Sequence, residues 1–392
     1  MIHQAPSLDA DALIAEATRE TGLDDFGDWS FREALAQLLQ SLDREAALTD
    51  AGCAMQRRRI IDILRTRLRF EDYLKRYPEI LDEAIESPVF ILGLPRTGTT
   101  LLQRLLAADP RFHSAAYWET RFPVPLEDQD FSDPADPRIA VARNEVEAML
   151  AAVPELASIH PLEAESADEE ITLLEQSFYS TNPLAAANVP SFAAWVESQD
   201  QTDGYRYLQR LLQFLQWQKR QRGLEAERWV LKSPHHIHHL EVLLKVFPGA
   251  RVIQTHRDPL QTIPSLASFV HTLRRLTSDS CRAEDAGSQW SRKMARGLAH
   301  CLAVRDSTSP DAFLDIAFEE TVGDPMTVLE KVYRFIGMPL TDEAVAAIER
   351  WRAANPREKR ASHRYSLAQF GLTEAQIERD FARYRERYGF AG

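Results

Sequence analysis

The sequence predicts an α/β protein: a three-layer α/β/α core around a mostly parallel sheet, with a helical N-terminal region and a helical insert. Three observations carry this. The apolar run Val89-Phe-Ile-Leu-Gly93 opens into a glycine-bounded loop and then an apolar helix. Further apolar runs at Arg228–Lys232, Ala250–His256 and Ala312–Phe318 alternate with segments of helical period, as parallel strands joined by crossovers do. Before residue 88, and again from about 137 to 223, apolar residues recur every three or four positions.

Taken in order, residues 1–87 form the helical region, with helices expected at Ser7–Thr21, Ser30–Leu42 and Glu45–Tyr77. Gln56-Arg-Arg-Arg59 with Arg65, Arg67 and Arg69 makes a basic stripe, expected to be a solvated helix face. The α/β unit spans 88–392. Its first helix, Thr99–Ala108, is stopped by Asp109-Pro110. Residues 123–137, with four prolines, form a loop. Within the insert the helical pattern is strongest at Ile139–Ala152, Asp168–Ser180 and Tyr205–Arg222, with a turn at Asn182-Pro183. A helix from about Ile237 to Phe247 follows the Arg228 strand, and another follows Arg257-Asp258-Pro259. After the last strand come helix and loop, including an amphipathic helix at Thr373–Tyr388.

The composition narrows the partners. A formal net charge of −13 over 392 residues argues against nucleic acid. Cys53, Cys281 and Cys301 lack metal-ligand spacing and suit a reducing compartment. The N-terminus lacks a basic segment followed by an apolar core, and no stretch approaches about 18 uninterrupted apolar residues. A cytoplasmic protein without integral membrane association is expected.

The loop after the first strand, Gly93-Leu-Pro-Arg96-Thr97-Gly98-Thr99-Thr100, has the spacing of a phosphate-binding loop, G-x-x-x-x-G-T-T, with Thr99 at the usual lysine position. Its backbone N–H groups and the helix dipole converge on one spot, which favours an anion. The lysine that reaches the terminal phosphates of a nucleoside triphosphate is missing, and the cation is Arg96, planar and permanently charged. Thr97, Thr99 and Thr100 add hydroxyls. The plainer alternative is that Gly93 and Gly98 merely turn a strand into a helix. Two other strands also end in cations, Lys232 and Arg257. In a parallel sheet such ends converge, making a pocket for a ligand with several anionic groups; an ion-pair network would give the same residues.

On these motifs the chain resembles the PAPS-dependent sulfotransferases over about residues 88–340, with a divergent insert. Pro95-Arg-Thr-Gly-Thr-Thr100 is similar to their 5′-phosphosulfate loop. Thr255-His-Arg257-Asp-Pro-Leu-Gln-Thr-Ile-Pro-Ser265 is similar to their 3′-phosphate motif, an Arg at a strand end and a Ser eight residues later. Ala317-Phe-Glu-Glu-Thr-Val-Gly-Asp-Pro325, followed by Val332–Gly337, resembles their later YE-x-L-x-x-DP region. The resemblance implies 3′-phosphoadenosine 5′-phosphosulfate (PAPS) as sulfuryl donor, held by Arg96, Thr97, Gly98, Thr99, Thr100, Arg257 and Ser265, with no metal required. It implies in-line transfer to a hydroxyl or amine of a small-molecule, lipid-like or glycan acceptor, with Lys232 and Arg96 stabilising charge.

The base stays open between two candidates. Glu119, in Tyr117-Trp-Glu-Thr-Arg121, is similar to the proposed base of protein-tyrosine sulfotransferases; its alternative is an ion pair. Many cytosolic small-molecule enzymes of the family place a His two residues after the Lys. Here that position is Pro234, with His235 and His236 following. His235 and His239 would share a helix face suited to a metal, but no acidic or cysteine partner accompanies them, so capping or packing is expected. The basic run Arg357–Ser366 would take the role of a late family loop over the nucleotide and bring Arg364 to the donor, although its sequence departs from that loop's usual pattern; a solvated loop before the last helix is the alternative. Phe178, Tyr179, Phe192, Trp195 and Trp217 are expected mostly in the core. Two other classes fit the loop alone, a phosphate-loop kinase or nucleotide hydrolase and a non-catalytic nucleotide-binding protein.

Overall fold

A computed structural model describes residues 8–126, 131, 136–156, 162–356 and 365–390 of the chain. Among them, five strands form one sheet: β1 (Val89–Gly93), β2 (Phe112–His113), β3 (Arg228–Lys232), β4 (Arg251–His256) and β5 (Phe313–Ala317). The spatial order is β2-β3-β1-β4-β5 and every pairing is parallel. The expected α/β fold is therefore present. The strand not foreseen is β2, whose two residues leave no periodic signal.

The continuous apolar character of β1 follows from burial on both faces. Val89 and Ile91 pack with Leu102, Leu105 and Leu106 of the helix Thr99–Ala107 and with Val328, Val332 and Ile348 of later helices. Phe90 and Leu92 belong to the opposite and larger core. That core also takes Leu13, Leu35, Leu64 and Phe70 from the N-terminal helices, Leu208 and Phe214 from the insert, and Leu298 from the helix Ala283–Asp306. The N-terminal helices thus share one core with the sheet. Phe178, Phe192 and Trp217 lie in it too, fully or nearly buried, while Tyr179 and Trp195 pack at its edge.

Helix ends differ from the periodic pattern where side chains compete with the backbone. The expected helix Asp168–Ser180 shrinks to Ile171–Leu174 and a 3-10 turn, Glu175–Ser177. The Ser177 hydroxyl donates to the Leu174 carbonyl at 2.6 Å, Ser180 donates to the Ile171 carbonyl at 3.1 Å, and Phe178 turns the chain at φ 63°. Two helices not foreseen, Asn182–Ala186 and Pro190–Ser198, start with proline in the first turn, where the missing N–H costs nothing. The expected Thr373–Tyr388 helix is two, Glu374–Asp380 and Ala382–Arg387, separated by Phe381.

The basic stripe of the helix Asp50–Arg76 is not a solvated face. Arg57 pairs with Glu16, Arg59 with Glu175 of the insert, and Arg65 with Glu20. Arg67 is 1% exposed, lies 4.4 Å from the Phe31 ring centroid and 4.3 Å from that of Tyr207, and donates to the carbonyls of Phe26 and Asp28. One-dimensional charge spacing cannot report that other helices cover this side. Arg67→Ala should lower unfolding free energy by roughly 2–4 kcal/mol, because it strands the buried Phe26 carbonyl, loses the bond to the Asp28 carbonyl and empties a site between two rings. Arg58→Ala, on a side chain 71% exposed, should stay within about 0.5 kcal/mol. Urea denaturation of both variants decides this, and similar small losses would restore the solvated stripe.

Candidate active site

The loop after β1 depends on how closely β1 approaches β4. A Cβ on Gly93 (φ 152°) would lie 2.6 Å from the Thr255 carbonyl oxygen, so the turn requires glycine here. Arg96 adopts φ 73° and Gly98 φ 87°, two left-handed residues that let the chain reverse into the helix Thr99–Ala107. The first N–H groups of that helix lack intrahelical acceptors and point at the loop mouth, where Thr99 is buried and Thr100 half-exposed. Thr97 corrects one expectation. Its hydroxyl is fully buried, donates to the Leu94 carbonyl at 2.6 Å and lies 2.6 Å from Thr255 Oγ1. It therefore fastens the loop to β4, and only its backbone is left for an anion.

Arg257, just beyond β4, reaches the same loop. Its Nη1 donates to the Arg96 carbonyl at 3.1 Å, its Nε donates to Gln261 at 3.0 Å, and the guanidinium lies 4.0 Å from the Phe318 ring centroid beyond β5. Ser265 follows on the helix Pro259–Arg274 and is buried. Its hydroxyl meets one the motifs did not single out, the phenol of Tyr365. Burial raises that phenol above its ordinary pKa, against the Arg96 charge and hydrogen bonds with Ser268 and Ser265. Arg96, Arg257, Ser265 and Tyr365 thus gather at one edge of the sheet. Arg364 lies outside the described residues, as does the rest of 357–364.

Lys232 ends β3 with its side chain 1% exposed. A buried ammonium needs a counter-charge, and Glu169 of the insert supplies it at 2.5 Å. The neighbouring Glu170 is fully buried. It accepts the Lys232 backbone N–H at 2.7 Å and faces His236 Nε2 at 2.6 Å, while His236 Nδ1 lies 2.7 Å from the Tyr205 hydroxyl. Gln103, on the helix that follows the phosphate-type loop, donates to the Asp168 carbonyl at 2.9 Å and ties this acidic segment to the loop. Glu169 and Glu170 were not foreseen. Their signal, two adjacent acids in a helical insert, is common, and no spacing linked them to Lys232.

Both base candidates are buried. Glu119 accepts from Lys219 Nζ at 2.5 Å and from the Ala116 N–H at 2.8 Å, with a side chain 6% exposed. Lys219 stands 5.9 Å from the Trp229 ring, three residues or about 10 Å before Lys232 along β3. In this structure the carboxylate caps its helix and pairs with Lys219. His235 is 2% exposed, its Nδ1 lies 3.3 Å from Thr181 Oγ1, and its ring is tilted 41° to that of His239 at 4.9 Å between centroids. Its Nε2 is buried without a hydrogen-bond partner among the described residues.

Sequence and structural comparison now join this geometry. The model of the sulfotransferase family matches residues 88–342, well over half of the chain. The protein is a member of the sulfotransferase family. The sulfotransferase STF1 of Mycobacterium tuberculosis superposes with a TM-score of 0.84 and 33% identity, covering 97% of this chain and 100% of that one. The sulfotransferase STF9 of Mycobacterium avium gives a TM-score of 0.87 and 29% identity, covering 98% and 97%. The omega-hydroxy-beta-dihydromenaquinone-9 sulfotransferase Stf3 of Mycobacterium bovis is 24% identical over 321 residues, 78% of this chain and 76% of that protein. This sulfotransferase therefore carries the family's fold over nearly its whole length. Among the described residues no helix is long and apolar enough to cross a membrane.

The histidines beside β3 make the stability of this sulfotransferase pH-dependent. Burial, foremost, with the Lys293 and neighbouring histidine charges pushes His239 down to about 3 and His235 and His238 well below their ordinary value. They stay neutral in the fold, whereas the unfolded chain takes up protons near pH 6.5. Their contribution is complete above about 6.5 and is lost as pH falls below it, by up to about 1.4 kcal/mol per unit for each. The urea midpoint should drop clearly between pH 7.5 and 5.5; an unchanged midpoint would contradict the buried neutral cluster.

Proposed function

We propose that this sulfotransferase takes its sulfuryl group from PAPS and passes it to a hydroxyl of a small, lipid-like acceptor in the cytoplasm. One observation carries the donor assignment: the Arg257 guanidinium is bonded to the carbonyl of Arg96. Two cation-bearing motifs eight or more residues long in sequence thus become a single anion-binding edge, suited to a ligand with phosphate at both ends of one nucleoside. The backbone of 96–98 with Thr99, Thr100 and the Arg96 side chain would hold the 5′-phosphosulfate. Arg257 and Ser265, with Tyr365, would hold the 3′-phosphate.

When bound, the donor supplies an activated sulfuryl group with PAP as leaving group. The chain's own part is electrostatic. Arg96 and the helix N–H groups favour the phosphate side, and Lys232 meets charge growing on the sulfonyl and bridging oxygens. No metal is needed for that work. The lipid-like acceptor rests on relationship: Stf3, named for a hydroxylated menaquinone, is 24% identical across most of both chains. The cytoplasmic assignment is supported by the three free cysteines, two of them buried.

Titration calorimetry with PAP should give micromolar binding or tighter, about −8 kcal/mol. Arg257→Ala should weaken it by roughly 10- to 100-fold, the loss of a charge-assisted contact worth about 1.5–3 kcal/mol. A wild-type protein that gives no heat with PAP overturns the donor assignment.

A further inference from the structure

Beside Lys232, at the end of β3, stands a carboxylate that the family motifs do not include, Glu169. We infer that Glu169 is the general base of the transfer, and that Lys232 is its counter-ion until the donor arrives. The inference rests on the proposed placement of the donor's sulfonate at Lys232.

Three features single out Glu169. Its carboxylate lies 2.5 Å from the Lys232 ammonium, the group that ends β3 beside the loop. Its side chain is 21% exposed while that of Lys232 is 1% exposed, so of the pair it is the carboxylate that reaches solvent. The residue before it is fixed on both its backbone groups: the Asp168 N–H donates to the Ala115 carbonyl at 2.9 Å, and Gln103 holds the Asp168 carbonyl. Glu170 differs in partner and in burial, being fully buried with its two oxygens on the Lys232 N–H and on His236. Glu170 positions the lysine; Glu169 is left to act.

The pairing also times the chemistry. A sulfonate arriving at Lys232 divides the ammonium between two anions and leaves a Glu169 oxygen to meet the acceptor's hydroxyl. The acceptor oxygen then forms a bond to sulfur, the bond from sulfur to the bridging phosphate oxygen breaks, and its electron pair leaves with PAP. The acceptor's proton passes to Glu169 and later to water.

Glu169→Gln keeps the size and an oxygen for Lys232 but cannot take a proton. PAP affinity by calorimetry should stay within about threefold of wild type. Transfer from PAPS to a long-chain primary alcohol should fall by about 10²- to 10⁴-fold and lose its acid limb in the pH–rate profile. Reverse transfer from p-nitrophenyl sulfate to PAP, whose leaving phenolate needs no proton, should fall by less than about tenfold. Glu169→Asp should keep the acid limb at a lower rate, which covers the case of a poorly folded Gln variant. Equal losses in both directions, or an alcohol rate within about threefold of wild type, overturn the assignment. Failure of wild type to bind PAP removes the donor assignment first, so the two failures are distinguishable.

Discussion

The approach of β1 to β4 at Gly93 is the constraint on which the site is built. A Cβ there would stand 2.6 Å from the Thr255 carbonyl, so only glycine lets the strands stay paired to their last residue while the chain turns away. That pairing puts the Thr97 hydroxyl on Thr255 and leaves Arg257, two residues later, against the Arg96 carbonyl. Arg96 and Arg257 take their relative position from this junction. The left-handed Arg96 is the strained residue it requires, a non-glycine backbone held in place by both sides of the loop.

Cations at a sheet edge repel one another and resist burial, and the structure offsets this with carboxylates brought from far along the chain. Glu169 and Glu170 come from the insert to Lys232. Glu175, a few residues on, fixes the insert to Arg59 of the N-terminal helices. The insert thus works as a strap between the helical region and the end of β3. The buried line from Tyr205 through His236 to Glu170 holds the strap's inner carboxylate still. A satisfied network of this kind gives the lysine one orientation.

A second network stands behind Arg257. The Tyr384 hydroxyl accepts the Arg257 N–H and lies 3.0 Å from His256 Nδ1, while His256 Nε2 lies 2.7 Å from Asp315, which also pairs with Arg305. Burial lowers His256, against the pull of Asp315. A neutral ring then donates to Asp315 and accepts from Tyr384. The C-terminal helices are by this means docked onto the strand end that carries the arginine. Their approach to the site begins at Tyr365, on Ser265 and Ser268.

The sequence by itself determined the layers, the four longer strands, the loop and the two cations at the strand ends, because each is written in a local pattern. Burial on both faces made β1 apolar throughout, glycine spacing marked the loop, and Arg257 with Ser265 kept a fixed offset on one strand and helix. Even there, local pattern misassigned the Thr97 hydroxyl, whose partner Thr255 is 158 positions away. Which acids meet Lys232, why Glu119 is bound to Lys219 a hundred residues on, and why Arg67 is buried under two rings were decided by tertiary packing alone. A charge's partner depends on which distant segments share its surroundings, and desolvation acts on that assembled environment, so no spacing along the chain encodes it.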